Sequence, residues 1–308
     1  MKILYTSDLH GKTYLYHGLS EFAISLSAET IVLGGDLLPS VRQTEQRHNM
    51  IPRQKNFIKQ FFRPFFRKLI ETTTVKQIFL IPGNWDMGYP YLFDEPIKGL
   101  NDLSGESYLL DNGFELIGYP FVPPTPFWPK DYEKMDDAEV DWPPQANPSY
   151  IRSPNQGDQL VAVDPSLYFR QRDSIREDLE RLPNPIDYKK AIYIMHSPPY
   201  GTGLDVIPGA QSVGSRSITA FIETHQPLLT LHGHIHESPE ISGRYFDRIG
   251  NTLSVNPGQI TCDSKLHAVI FEAENPGKTL HHTCFATPDS SHNFKFHANQ
   301  RKQCTRDT

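Results

Sequence analysis

The sequence predicts an α/β fold in which layered sheets carry helices on their outer faces. Its first half alternates short apolar runs with helical segments, and its end is rich in strand-like runs. This order of elements is typical of stacked sheets covered by helices. Polar residues suited to metal binding also follow several of the predicted strands. In open α/β sheets, sites form beyond the carboxyl ends of strands, so we expect a site at that edge.

The chain length is compatible with one large domain. A length of 308 residues suggests about two domains, but large α/β layers reach this size as one. We expect a single domain over residues 1–286, with an insertion rich in proline and aromatic residues at about 120–165. A polar tail is expected over 287–308.

Composition and charge exclude several classes of protein. Hydrophobic residues make up 38% and charged residues 21% of the chain, which is unlike a disordered protein. The net charge of -6 gives no overall attraction to nucleic acid or to an anionic membrane. No apolar run is long enough to span a membrane or to form a signal peptide core. The three cysteines, Cys262, Cys284 and Cys304, are too few for a disulfide framework, so we expect a cytoplasmic protein.

Short apolar runs predict the strands. In the first half they occupy residues 2–6, 30–35, 76–81 and 114–122. The run at 30–35 ends in two glycines, as a buried strand does. Further strands are predicted at 191–196 and within 227–237. The segments 251–258, 267–274 and 279–286 are expected to form sequential antiparallel strands.

Helices are predicted at 18–28, 52–72, 166–181 and 217–225. Pro64 lies inside the second of these, so we expect a kink or a break there. The same helix carries six basic residues, Arg53, Lys55, Lys59, Arg63, Arg67 and Lys68. They could contact a phosphate backbone, but the acidic chain favours a solvated helix face.

Eight prolines between residues 120 and 148 predict an irregular segment instead of a sheet. Trp128 and Trp142 lie among them. Two interpretations are open: a solvated insertion, or an aromatic-lined lid over an active site. The second is favoured because long loops in compact domains are often functional.

Candidate ligand residues follow the predicted strands. They are Asp8, His10, Asp36, Asn84, His196, His234 and His236. Each short motif has an ordinary explanation on its own, such as a turn or a helix cap. The pairs Asp8/His10 and His234/His236 are separated by two positions, so each pair shares one side of an extended segment. The whole set, in this order, predicts one shared site.

The order of these motifs resembles that of the calcineurin-like metallophosphoesterases. Their pattern is D-x-H, G-D, G-N-H-D/E, a lone H and G-H-x-H, and this sequence has "DLH", "GGD", "GNWD", "MHSPP" and "HGHIH". The resemblance covers roughly residues 1–272. It implies a four-layer α/β/β/α sandwich of two mixed sheets, with a dinuclear metal site at the strand ends.

The resemblance also implies two sets of metal ligands. One set is Asp8, His10 and His236, and the other is Asn84, His196 and His234. Asp36 would bridge the two cations through its two carboxylate oxygens. Imidazole and carboxylate donors suit Mn, Fe, Co or Zn, with Mn favoured. Two such cations activate a bridging hydroxide for in-line attack on a phosphate ester.

One position departs from the family pattern. Trp85 replaces the histidine that is thought to protonate the leaving oxygen or bind the phosphate, and Asp86 keeps the acidic position after it. An indole N–H donates a hydrogen bond but does not titrate. We expect Asp36, Asn84, Trp85 and Asp86 to serve the chemistry.

Several explanations of Trp85 are open. The substrate could have an acidic leaving group that needs no proton. Another residue, such as His17, His232 or Tyr200, could supply the proton. The indole could stack on a ring of the substrate. It could also belong to the core beside a silent site.

The favoured function is a metal-dependent phosphodiesterase that acts on a small-molecule phosphate ester. The alternative is a binding or scaffold protein on the same fold, with weak or absent catalysis. The presence of all seven implied ligands favours the enzyme. A nucleic-acid enzyme is a third and less favoured possibility, and the sequence does not identify an oligomeric state.

Overall fold

The computed structural model describes residues 1–41, 47–137, 143–153, 155, 158–260 and 264–285. The predicted tail at 287–308, and two of the cysteines, Cys262 and Cys304, lie outside these residues. Within them, no helix combines the length and the apolar character needed to cross a membrane.

The described residues form sixteen strands and eight α-helices. The strands are β1 (Lys2–Thr6), β2 (Thr30–Leu33), β3 (Gln77–Leu80), β4 (Leu100–Asp102), β5 (Ser107–Leu109), β6 (Glu115–Tyr119), β7 (Ser149–Arg152), β8 (Leu160–Val163), β9 (Ala191–Met195), β10 (Val206–Ile207), β11 (Gln211–Ser212), β12 (Leu229–Leu231), β13 (Phe246–Ile249), β14 (Thr252–Val255), β15 (Val269–Glu272) and β16 (His281–His282). The helices are α1 (Thr13–Ser25), α2 (Met50–Phe57), α3 (Arg63–Thr72), α4 (Pro165–Arg170), α5 (Ile175–Arg181), α6 (Arg216–His225), α7 (Ser238–Ser242) and α8 (Pro276–Thr279).

Twelve of these strands build two six-stranded mixed sheets. The first has the order β16-β15-β1-β2-β3-β4, and the second has the order β13-β14-β12-β9-β6-β5. Strands β1 to β4 run parallel in the first sheet. Strands β6, β9, β12 and β14 run parallel in the second. Parallel neighbours end at the same edge, so the loops that follow them lie side by side.

Alternate side chains of the central strands face two different cores. In β1, Ile3 and Tyr5 pack between the two sheets, whereas Leu4 faces the helices. Helices α1 and α3 cover the outer face of the first sheet, and α5 and α6 cover that of the second. Strands that are buried on both faces need nearly continuous apolar sequence, which explains runs such as "TIVL". The predicted four-layer α/β/β/α sandwich is confirmed.

The long predicted helix changes its winding just before Pro64. Helix α2 leads into a π-helical turn, Ile58–Phe62, which continues into α3. A proline ring clashes with the turn before it and lacks an N–H, so wider winding there accommodates it. The predicted break is therefore a π turn, and the helix begins at Met50, slightly earlier than predicted.

Basic side chains of this helix are paired with acids. Lys55 Nζ lies 2.7 Å from Asp158 Oδ2, and Arg63 and Arg67 each lie 3.6 Å from a Glu95 oxygen. These acids offset the positive charge that would attract a phosphate backbone. The pairing argues against a contact with a phosphate backbone, although Arg63 is buried and so does not belong to a solvated helix face.

The helix predicted at 166–181 is wrong in one respect, because it consists of two helices, α4 and α5. Ser174 begins the second helix with a capping box. Its hydroxyl accepts from the Glu177 N–H at 3.3 Å, and the Glu177 carboxylate accepts from the Ser174 N–H at 2.8 Å. The reciprocal hydrogen bonds favour a new helix start over continuation.

The predicted run of sequential strands at the end of the chain is also wrong in part. Strand β14 pairs with β12 and β13 in the second sheet, whereas β15 pairs with β1 in the first. Only β15 and β16 are antiparallel neighbours as predicted. Strand β13 was not predicted, because its half-buried sequence "FDRI" lacks a continuous apolar run.

The described part of the proline-rich insertion packs against the body of the protein. Trp128 is 1% exposed, and Lys130 and Glu133 are fully buried. Lys130 Nζ lies 2.8 Å from Glu133 Oε2 and donates to the Thr125 carbonyl oxygen at 2.8 Å. The Glu133 carboxylate also accepts from the Thr125 N–H at 3.0 Å. A buried and fully hydrogen-bonded ion pair thus fixes this segment, unlike a solvated loop.

Lys130→Met would leave the Glu133 carboxylate buried without its counter-charge. We expect the free energy of unfolding to fall by about 3–5 kcal/mol. Lys55→Met is the matched control, because its ion pair with Asp158 is exposed and contributes less than about 1 kcal/mol. Urea unfolding followed by circular dichroism measures both, and equal losses in the two variants would contradict the stabilising role of the buried pair.

Candidate metal centre

Five loops bring the predicted ligand residues to one edge of the sandwich. In the first sheet, Asp8, Asp36 and Asn84 follow the ends of β1, β2 and β3. In the second sheet, His196 follows β9 and His234 follows β12. The strands of each group are parallel neighbours, so their carboxyl ends are adjacent.

Hydrogen bonds join the two sheets at this edge. The main-chain N–H of His234 donates to both oxygens of the Asp8 carboxylate, each at 3.1 Å. His196 Nδ1 lies 2.7 Å from the carbonyl oxygen of Gly34. Because a carbonyl oxygen only accepts, the proton of a neutral His196 is on Nδ1, and its Nε2 is available to the site.

Asp36 lies at the centre of the cluster. Its Oδ2 is 3.8 Å from His10 Nε2 and 3.7 Å from His196 Nε2. Its Oδ1 accepts from the main-chain N–H of Trp85 at 2.9 Å. Oδ2 therefore faces one histidine from each implied ligand set. Oδ1 connects Asp36 to the loop after β3.

The histidines pair in the same two sets. The ring centroids of His10 and His236 are 5.9 Å apart, and those of His196 and His234 are 5.3 Å apart. Ligand atoms of Asp8, His10 and Asp36 lie within 4.8 Å of one another. Asn84 stands between Gly83 and Trp85, which both approach Asp36.

Glycines are required where these loops meet. A Cβ on Gly83 would lie 2.2 Å from Asp36 Oδ1 and 2.5 Å from His196 Nε2. A Cβ on Gly233 would lie 2.6 Å from Asp8 Oδ2. Only glycine allows backbones to approach this closely, so the "GN" and "HGH" motifs have a steric basis.

Four of the predicted ligand residues have left-handed backbone conformations. The φ angle is 61° at Asp8, 45° at His10, 52° at Asp36 and 65° at His234. Such conformations cost non-glycine residues on the order of 1–3 kcal/mol each. They persist where surrounding contacts hold them, and they concentrate at functional sites.

Several buried polar atoms of the centre have no hydrogen-bond partner among the described residues. They are His10 Nδ1, His196 Nε2, Asn84 Oδ1 and Asn84 Nδ2. Buried polar atoms are normally paired, and an unpaired one can indicate a missing ion. Imidazole nitrogens and an amide oxygen are suitable donors to divalent cations, so these residues fit a metal centre.

Burial holds two histidines in the neutral form that metal binding requires. It lowers the pKa of His10 to about 4 and that of His234 to about 3. For His196, burial acts in the same direction, but the Asp36 and Asp8 carboxylates outweigh it and raise the pKa to about 9. Burial also raises the pKa of Asp8, whereas the charge of His196 holds that of Asp36 below its usual range despite burial.

Asp86 lies between two loops of the centre and accepts hydrogen bonds from both. The side chain is fully buried, and its oxygens accept from the N–H groups of Leu37, Leu38 and Gly83 at 2.8–3.0 Å. Burial raises its pKa to about 7, and the Asp36 charge acts in the same direction. Asp86 thus connects the loop after β3 to the loop after β2, which carries Asp36.

Trp85 lies next to the proline-rich insertion. Its ring centroid is 5.5 Å from that of Phe127 and 5.9 Å from that of Trp128. The side chain packs against an apolar cluster that includes Met50 and Met87. These contacts favour the aromatic-lined lid over the solvated insertion, because they place aromatic residues of the insertion next to Trp85.

The three other proton donors considered are engaged elsewhere. The His232 ring nitrogens contact main-chain carbonyl oxygens and the Thr230 hydroxyl. The His17 ring packs on Phe61 of the π-helical turn, at 5.8 Å. Tyr200 stacks under Arg216, which is not one of the predicted ligand residues. None of these contacts places a proton donor at Asp36.

Gln54 is a positioning residue that sequence reasoning missed. Its side-chain amide donates to the Trp85 carbonyl oxygen at 2.7 Å and to that of Pro39 at 3.0 Å. Its Oε1 accepts from the Gly88 N–H at 2.6 Å. A signal was present, because Gln54 follows Met50 and Ile51 at helical spacing on the buried face of α2.

Comparisons with known proteins agree with this architecture. The sequence model of a family described as calcineurin-like phosphoesterase matches residues 1–238. The chain has no significant match among curated proteins. TT1561 of Thermus thermophilus is 18% identical, with a TM-score of 0.52 over 91% of this chain and 97% of its own. This similarity supports a shared fold.

Two other solved structures are more distant. A dimetal phosphatase from Danio rerio is 12% identical, with a TM-score of 0.48 over 88% of this chain and 95% of its own. A phosphodiesterase described as novel and archaeal is 14% identical, with a TM-score of 0.41 over 92% of this chain and 98% of its own.

Gly83→Ala should disturb the centre without unfolding the protein. The added methyl group must displace Asp36 or His196, so we expect much less bound Mn²⁺ after loading and desalting. Gly277→Ala is the control, because its methyl group would meet only the flexible end of Arg248, at 3.2 Å. Plasma mass spectrometry measures the metal, and circular dichroism checks the fold. A normal Mn²⁺ content in folded Gly83→Ala would contradict this placement of the ligands.

Proposed function

The chain belongs to the calcineurin-like phosphoesterase family, and on that premise we propose that it is a metal-dependent phosphodiesterase. Its proposed substrate class is a small-molecule phosphate ester. The family match over residues 1–238 supports phosphoester hydrolysis in general. The preference for diesters is supported by the residues of the centre, Trp85 in particular.

The observation that carries the proposal is the position of the Asp36 carboxylate. Its Oδ2 lies between His10 Nε2 and His196 Nε2, at 3.8 and 3.7 Å. Asp36 would hold both cations, and the Trp85 N–H orients its carboxylate through Oδ1.

The other predicted ligand residues form two sets on either side of Asp36. One set is Asp8, His10 and His236, and the other is Asn84, His196 and His234. When bound, two divalent cations supply Lewis-acid activation of water and neutralise phosphate charge. Mn²⁺ is the favoured ion, although the donor set also suits Fe, Co and Zn.

The protein's own groups orient this site. The Gly34 carbonyl oxygen holds the His196 ring through Nδ1, which keeps Nε2 available. The His234 N–H fixes the Asp8 carboxylate. Outer contacts of this kind set the tautomer and orientation of metal ligands.

Trp85 determines which leaving groups suit the enzyme. Its indole cannot deliver a proton, and its half-buried ring packs on that of Phe127. These two aromatic rings suit an aryl group, whose oxygen departs without protonation. We therefore propose activated aryl phosphodiesters as better substrates than alkyl phosphomonoesters.

Hydrolysis of bis-p-nitrophenyl phosphate tests the proposed function. Metal-stripped protein that is reloaded with Mn²⁺ should turn over, and Asp36→Ala should lose at least about 100-fold, since even outer-shell partners of metals contribute about 10–100-fold. Asp173→Ala is the control, because it removes an exposed carboxylate that pairs with Arg181. If wild type is inactive with Mn²⁺, Fe²⁺, Co²⁺ and Zn²⁺ alike, the enzyme proposal fails and a binding or scaffold role gains support.

Trp85→His tests the role of the missing proton donor. General acid catalysis contributes about 10²–10⁴-fold, so we expect the ratio of alkyl monoester to aryl diester hydrolysis to rise about 10-fold or more. Trp85→Phe is the control, since it keeps an aromatic ring beside Phe127 and adds no titrating group. Values of kcat/KM at matched pH give the ratio. Wild-type protein that hydrolyses both ester classes equally well would contradict the proposed preference.

A further inference from the structure

A cavity of about 370 Å³ lies between the proline-rich insertion and the segment that follows His196. Pro124 and Met135 line it on the insertion side, and Tyr200, Val213 and Arg216 line it on the other. Concave sites with mostly apolar walls and a few polar groups are typical of small-molecule binding.

Arg216 is the cationic group of this cavity. Its guanidinium carbon lies 3.6 Å from the centroid of the Tyr200 ring. Among the described residues, the guanidinium forms no ion pair and no hydrogen bond, in contrast to Arg176 and Arg181, which pair with aspartates. Stacking on Tyr200 leaves the N–H groups at the guanidinium edge free to donate.

Asp136 lines the same cavity but, among the described residues, forms no ion pair with Arg216. Its carboxylate accepts from the Arg216 and Ser217 main-chain N–H groups and from the Ser215 hydroxyl. It therefore caps the first turn of α6 and satisfies the donors there. The guanidinium donors of Arg216 stay available to a ligand.

A second buried carboxylate makes the opposite wall rigid. Asp205 is fully buried and accepts from the N–H groups of Gly201, Thr202 and Gly214 at 3.0–3.1 Å. These hydrogen bonds hold together both ends of the segment that carries Tyr200 and Val213. The cavity is thus preformed, which reduces the entropic cost of binding.

The cavity and the metal centre are within reach of one ligand. Tyr200 is four residues after His196, so their Cα atoms are at most about 14 Å apart. That distance matches a small organic molecule with its scissile phosphate at the metal centre and its other end in the cavity.

We propose that this cavity binds a second oxyanion of the substrate, through Arg216. The inference rests on the proposed function and narrows its substrate class to phosphate esters that carry a further phosphate or carboxylate group. A planar guanidinium fixed by stacking donates two parallel hydrogen bonds to either oxyanion. The apolar walls contact the organic linker between the two charged groups.

A matched series of p-nitrophenyl alkyl phosphodiesters tests the proposal. The alkyl chain ends in methyl, carboxylate, phosphate or trimethylammonium, in a short-chain and a long-chain set. For wild-type protein loaded with Mn²⁺, we expect KM to be about 10-fold or more lower for an anionic end than for methyl. The carboxylate and phosphate arms show which oxyanion is preferred, and trimethylammonium should bind worst.

Arg216→Met should abolish this preference, because the anionic end loses its hydrogen-bond donors. Arg216→Lys should retain part of the preference, because it keeps the charge and loses the paired donors. Arg181→Met is the control, since it removes the same charge from an exposed pair with Asp173. Equal KM values for methyl and anionic ends, or an unchanged preference in Arg216→Met, would overturn the proposal.

Calorimetry separates this inference from the proposed function. The Mn²⁺-loaded full chain is titrated with short-chain and long-chain alkane-α,ω-bisphosphates, which carry one phosphate for the metal centre and one for Arg216, in wild type, Arg216→Met and Arg181→Met. Weaker binding only in Arg216→Met supports the oxyanion site even if no ester is hydrolysed, in which case the proposed function alone fails. Hydrolysis with identical binding in all three proteins overturns the oxyanion site alone.

Discussion

The ligand edge of the two sheets depends on one buried carboxylate, that of Asp36. It lies between the rings of His10 and His196. Removing a charge from water costs several kcal/mol unless partners compensate it. Asp36 has such partners in His10, His196 and the Trp85 N–H. The neighbouring orphaned nitrogens and amide atoms indicate that this compensation is incomplete in the protein alone. Divalent cations would complete it, which links the stability of this edge to metal binding.

The surrounding structure is arranged to hold that carboxylate in place. The loops after β2, β3 and β9 approach so closely that Gly83 accepts no side chain, and Asp36 itself is held at positive φ. Asp86 and Gln54 tie the loops after β2 and β3 together through main-chain groups. Since such strain costs on the order of 1–3 kcal/mol per residue, the packed layers on both sides of each sheet must offset it. The rigidity of the four-layer core thus serves the geometry of the site.

Much of the site could be predicted from the sequence because its ligands directly follow buried strands. An apolar run such as "TIVL" signals a strand buried on both faces, and Asp36 comes just beyond it. Sheet membership of the last strands could not be predicted, because β14 and β15 have similar apolar patterns and only tertiary pairing separates them. The Lys130–Glu133 pair could not be predicted from the sequence either, because an irregular segment has no periodicity that reveals which side chains are buried. Arg216 was missed because its stacking on Tyr200 in a cavity is a property of the folded chain.

Asp36 would hold both metal ions of the centre, and electron paramagnetic resonance of the Mn²⁺-loaded protein tests this assignment. Two Mn²⁺ ions held by one shared carboxylate would be coupled by exchange. We therefore predict a coupled spectrum in the fully loaded wild type, whereas any Mn²⁺ that Asp36→Ala retains should give the spectrum of an isolated ion. A fully loaded wild-type protein that shows only isolated Mn²⁺ would contradict it.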